Sequence, residues 1–103
     1  MQNLTILGST GSIGTSTLDV VARHPGKFRI VALTANCQTD LLFRQCVQFK
    51  PRYAVLLDED AAAQLRQRVR EAGLAIEVLS GAAALEQVCI LPEADTVMAA
   101  IVG

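Results

Sequence analysis

Residues 4 to 21, LTILGSTGSIGTSTLDVV, restrict the fold more than any other stretch of this chain. An apolar run suited to a buried strand stops at Gly8, glycines recur at 11 and 14, and a helix-like pattern begins at Ser12. A strand that turns sharply into a helix needs backbone angles that a β-carbon forbids, and Gly8 supplies them. Gly11 leaves the backbone open to close approach from outside, and Gly14 lets the helix lie against the strand it has just left. The free amides of the first helical turn, around Ser12 and Ile13, then point above the turn and favour an anion. Thr10 and Ser12 add hydroxyl donors.

The spacing is GxxGxxG, one residue longer at its start than the GxGxxG dinucleotide fingerprint. It lacks the Gly-Lys-Ser/Thr ending of a P-loop. A dinucleotide diphosphate is therefore favoured over a nucleoside triphosphate. Turns also collect glycine for steric reasons alone, so the triplet gains its weight from its position between first strand and first helix.

The rest of the chain repeats that alternation. Strands are expected at 3–7, 28–35, 52–58, 75–79 and 95–102, and helices at 12–23, from Thr39 to Phe49, through Ala61, Leu65 and Val69 to a stop at Gly73, and over 80–89. Thr39 reads as the N-cap of the second helix, and Gly81 falls in the first turn of the fourth. Strands separated by helices imply right-handed crossovers and a mostly parallel sheet covered on both faces, a doubly wound three-layer α/β domain. Ligands of such sheets lie beyond the carboxyl ends of the strands, here Gly8 to Gly14, Thr34 to Gln38, Leu57, Asp58 and Ile101 to Gly103.

Composition excludes other classes. A chain of 103 residues, 51% hydrophobic and 18% charged, has one domain's worth of core and too many charges for a membrane span. Nine basic against ten acidic residues, with no basic block, argue against nucleic acid. The N-terminal MQNLTILGS has neither a basic n-region nor a long apolar h-region, so a cytoplasmic location is expected. Cys37, Cys46 and Cys89 form no CxxC pair and read as reduced thiols that mostly serve packing.

Several conspicuous residues have structural explanations. His24 beside Pro25 suits a solvated helix end, and Asp58, Glu59 and Asp60 suit the dipole at a helix start. LRQRVRE at 65–71 reads as a solvated face, and Asp19 as a buried polar contact or a surface residue.

Cofactor choice rests on the end of the second strand. An NAD-binding domain commonly places Asp or Glu there for the adenosine ribose. This chain offers Thr34, Ala35, Asn36, Cys37 and Gln38. No carboxylate repels a 2'-phosphate, which leans towards NADP, and no cation attracts one. A polar loop that merely precedes the second helix is the other reading of TANCQT.

LTILGSTGSIGTSTLDVV, followed by FRIVAL, PRYAV and the terminal MAAIVG, closely resembles the N-terminal part of the 1-deoxy-D-xylulose 5-phosphate reductoisomerases, over essentially the whole chain. The resemblance implies a Rossmann-like NADPH-binding domain at 1–103 and, for the whole enzyme, a cytoplasmic homodimer that also uses Mg or Mn. The implied reaction, in the methylerythritol phosphate route to isoprenoids, rearranges a sugar phosphate and reduces the resulting aldehyde by hydride transfer. Carried over by position, Thr10, Gly11, Ser12 and Ile13 contact the diphosphate, Gly8 and Gly14 shape the turn, Ala35, Asn36, Cys37 and Gln38 face the adenosine, and Ala100, Ile101 and Val102 lie beside the nicotinamide half. No catalytic or metal-ligating residue is assigned within the chain. The family's acidic metal ligands, sugar phosphate site and lid follow the position matched by Gly103, so the chain by itself is expected to be inactive.

Family members often carry a glycine, a basic residue and an asparagine where this chain has Asn36, Cys37 and Gln38. A charge-assisted hydrogen bond contributes about 1.5–3 kcal/mol, so the missing cation implies NADPH binding weaker by about tenfold or more. Arg44 is a candidate to reach back and compensate. Two other function classes fit the residues: a Rossmann-like interaction module without productive cofactor binding, and a dehydrogenase of another substrate class.

Overall fold

The computed structural model describes residues 1–99. Five parallel strands, β1 (Gln2–Leu7), β2 (Phe28–Ala35), β3 (Tyr53–Leu56), β4 (Glu77–Ser80) and β5 (Thr96–Ala99), alternate with four helices, α1 (Ser12–Ala22), α2 (Thr39–Phe49), α3 (Glu59–Glu71) and α4 (Ala82–Cys89). The strand order is β4-β3-β2-β1-β5. Successive crossovers march outward from β1 to β4, and the chain then returns to the far side of β1. That reversal puts the helices on opposite faces.

Leu18 and Val21 of α1, Leu42 and Cys46 of α2, and Ala61, Ala62, Leu65 and Val69 of α3 pack with Leu4, Ile6, Ile30, Leu33, Ala54, Leu56 and Val78 on one face. Ala84 and Val88 of α4 meet Ala32 and Val55 on the other. The sheet thus carries a layer of three helices on one face and one helix on the other, and the expected doubly wound α/β fold is the observed one. Alternation along each strand sorts the two sets, because successive side chains point to opposite faces.

The sheet has one irregularity. Leu4 pairs with Ile30, but Thr5 pairs with Ala32, so Val31 is an extra residue in β2. Above this bulge the ladder resumes, with Leu33 opposite Ile6 and Ala54, and Thr34 opposite Val55.

Some local expectations change. Thr39 is the first residue of α2 rather than its cap, because its hydroxyl donates to the Ala61 carbonyl (3.2 Å) and ties α2 to α3. Gly81 precedes α4 and adopts φ +90°, a conformation open to glycine but disfavoured for other residues. Of the arginines in 65–71, Arg66 donates to the Val78 carbonyl (3.0 Å), while Arg68 lies over the Phe43 ring at 4.3 Å and pairs with Asp40. Those two serve packing between elements. Asp19 is exposed, and Cys46 is fully buried whereas Cys37 is exposed. Among the described residues no helix is long and apolar enough to cross a membrane.

Candidate functional site

At the carboxyl ends of β1, β2 and β3 a cleft of about 550 Å³ opens between the glycine turn and the loop leading into α2. Gly8, Thr10, Gly11, Ser12 and Ile13 form one wall. Thr34, Ala35, Asn36, Cys37 and Gln38 form the other, and Leu57 and Leu85 also line it. Nine of the sequence-derived candidates therefore share one cleft. Gly14 is buried behind it, and Ala100, Ile101 and Val102 lie outside the described residues. Leu85 was not legible beforehand, since α4 reaches the cleft only through the return of the chain across the sheet.

Each glycine of the turn has a separate physical cause. Gly8 adopts φ +73°, which allows the strand to turn at once. A β-carbon on Gly14 would lie 2.3 Å from the Gly8 carbonyl oxygen and 2.6 Å from the Ser9 Cα, so α1 can seat on the turn only with hydrogen at that position. Gly11 differs. Its φ is −74°, and an added β-carbon would meet only the Gly8 oxygen, at an ordinary 3.6 Å. The fold itself does not need glycine at 11, although Gly11 faces the cleft.

Gly11 is also the N-cap of α1. It offers no capping side chain, and the first turn holds no acidic residue. The amides there lack a side-chain acceptor, and the helix dipole adds partial positive charge. α3 shows the alternative: Asp58 accepts from the Ala61 amide (3.2 Å), and Glu59 and Asp60 occupy the first turn. One helix carries its own anions at its start, and the other leaves that position open toward the cleft.

Buried polar contacts hold the turn in place. The Gly8 amide donates to the Thr34 hydroxyl (3.1 Å), and the Ser9 amide to the Thr34 carbonyl (2.9 Å). The Ser9 hydroxyl donates to Gln45 Oε1 (2.7 Å), and Gln45 Nε2 donates to the Ser9 carbonyl (2.8 Å). Sequence reading missed Ser9 and Gln45, because their partnership spans 36 residues and carries no local signal.

The second wall is fixed by backbone and neutral in its side chains. The Leu57 amide donates to the Ala35 carbonyl (3.1 Å), and the Asp58 amide to that of Asn36 (3.0 Å). Asn36, Cys37 and Gln38 are exposed, and among the described residues every one lining the cleft is uncharged. Arg44 does not line this cleft; it lines a separate groove between α1 and α2 with Thr15, Leu18 and Asp19. Among the described residues, no group of three or more His, Cys, Asp or Glu converges as metal ligands would.

The strand order, the crossovers and the glycine turn define a Rossmann-like α/β domain with an anion-receptive helix start at its switch point. Comparison with known proteins gives a more particular assignment. Residues 4–103 match the family described as 1-deoxy-D-xylulose 5-phosphate reductoisomerase, and the chain belongs to that family. The protein of that name from Nitrosospira multiformis is 64% identical over 103 residues, covering 100% of this chain and 26% of the relative. That from Nitrosomonas europaea is 63% identical over 102 residues, covering 99% and 25%.

Among solved structures, a DOX-P reductoisomerase in complex with NADPH, fosmidomycin and magnesium superposes with a TM-score of 0.95 at 44% identity, covering 100% of this chain and 25% of that one. The Zymomonas mobilis enzyme in complex with NADPH gives 0.90 at 36%, covering 99% and 26%. The chain spans about a quarter of the length of the relatives it matches.

Proposed function

We propose that residues 1–103 are the NADPH-binding domain of a 1-deoxy-D-xylulose 5-phosphate reductoisomerase, cytoplasmic and homodimeric as a whole enzyme, acting on a sugar phosphate and binding neither nucleic acid nor membrane. The observation that carries the reading is Gly11, a glycine that the backbone does not require, at the uncapped start of a helix facing a cleft. The family relationship and the NADPH complexes of similar structures support the same choice of ligand.

In this reading the amides around Ser12 and Ile13 and the hydroxyls of Thr10 and Ser12 hold the diphosphate, with Gly11 giving it room. Asn36, Cys37 and Gln38 bound the adenosine end. Bound NADPH supplies a hydride for reduction of the aldehyde formed when the sugar phosphate rearranges. The domain binds and orients that cofactor. Metal chemistry is assigned to the part of the relatives that this chain does not span.

Titration of the isotope-labelled protein with NADPH and then NADH, followed by amide NMR, tests this. The expected result is saturable shifts at Gly11, Ser12 and Ile13 at lower concentration for NADPH. Dispersed spectra that neither nucleotide perturbs would refute cofactor binding.

A further inference from the structure

We infer that Gln45 is a positioning residue for the cofactor's diphosphate, acting through Ser9 on the amides of α1. The inference rests on the cofactor-binding reading above and extends it to a residue outside the cleft. Gln45 is 6% exposed and Ser9 is 0% exposed, so water does not substitute readily for their mutual bonds. The amide orientation is fixed chemically. The Ser9 carbonyl can only accept, so it takes Nε2–H, which leaves Oε1 to accept the Ser9 hydroxyl.

The Ser9 backbone is also the surface on which α1 rests. Ser9 Cα and C lie 2.6 and 2.8 Å from where a Gly14 β-carbon would be, so the start of α1 sits directly against the Ser9 backbone. A shift of Ser9 therefore moves the amides around Ser12 and Ile13 with it. Gln45 clamps Ser9 from α2, and Thr34 holds it from β2. The helix that begins at the adenosine wall thus also fixes the opposite wall, and the spacing between the two does not depend on the turn alone.

The test measures binding of two probes to the purified protein and to Gln45→Leu and Ser9→Ala variants. NADPH spans both walls, whereas adenosine 2'-monophosphate carries the adenosine end and no diphosphate. Gln45→Leu is expected to weaken NADPH by about tenfold, the scale of one displaced charge-assisted bond, and to leave adenosine 2'-monophosphate within about twofold of wild type. Ser9→Ala keeps the Nε2 bond to the Ser9 carbonyl and is expected to weaken NADPH by about threefold. It decides the matter if Gln45→Leu does not fold.

Equal weakening of both probes would make the role merely structural and overturn the inference. So would unchanged NADPH affinity in variants that fold. Failure of the wild-type protein to bind NADPH would overturn the cofactor reading and this inference together, whereas wild-type binding with insensitive variants removes only the inference.

Discussion

Replacing Gly14 and Gly11 by alanine, one at a time, separates what the fold demands from what a ligand demands. At position 14 the new methyl falls about 1 Å inside ordinary contact distance from the Gly8 oxygen, with Ser9 Cα and C almost as close. All three are backbone atoms, so no rotamer change relieves the clash. α1 must lift from β1, and with it the buried Leu18 and Val21. Overpacking costs about 1–3 kcal/mol where side chains can give way, so about 3 kcal/mol is expected here, a large part of the roughly 5–15 kcal/mol that stabilises a typical domain.

At position 11 the methyl meets one atom at 3.6 Å with φ −74° already suitable. The unfolded chain loses about 0.4–1 kcal/mol of conformational freedom, a gain offset by alanine's weakness as an N-cap. Stability should stay within about 1 kcal/mol of wild type. NADPH affinity should nevertheless fall at least about tenfold, as one charge-assisted amide contact is displaced. Urea unfolding followed by circular dichroism gives the first quantity, and NADPH titration gives the second. Equal destabilisation by both substitutions, or Gly11→Ala binding NADPH as tightly as wild type, would refute the assignment.

Burial pushes the Cys46 thiol up from 9.0 to about 12. The unfolded state then releases its proton first, so this contribution to stability is intact below pH 9 and is lost as pH rises from about 9 toward 12, which urea midpoints across that range would show. In native protein at pH 8, iodoacetamide should label exposed Cys37 and spare Cys46, with bound NADPH slowing the labelling; mass spectrometry reads the sites. Asp58→Ala removes the cap of α3 and should cost about 1 kcal/mol in urea unfolding. Cys37→Arg places a cation on the neutral wall and should raise the preference for NADPH over NADH by about tenfold, measured by parallel titrations at low and high salt.

Elements whose cause is local were legible in the sequence. The GxxGxxG turn announced its strand and helix, and Ala61, Leu65 and Val69 announced the buried stripe of α3. Thr39 misled because a threonine before an apolar pattern resembles a cap, and nothing nearby reveals that its hydroxyl is drawn to Ala61. Arg44 misled for a similar reason: its place on α2 is readable, but which way that helix faces depends on its packing with α1. Strand alternation implied a parallel sheet without giving the place of β5 beside β1, which is set by the return crossover. Ser9 and Gln45 look like ordinary polar residues until α2 brings them together.

The extra residue at Val31 divides β2 into two parts with different tolerance for insertions and deletions. Below it, loss of one residue can be absorbed where the ladder already skips a step, so the turn between α1 and β2 is free to vary in length. Above it, Ala32 and Leu33 are registered on both sides, by β1 and by β3, and the β3 register continues through Thr34 and Ala35. A single deletion there would turn Thr34 to the opposite face and take its hydroxyl from the Gly8 amide. Related chains of different length should therefore place their gaps before Val31, leaving the cleft edge at constant spacing while the far end of the strand drifts.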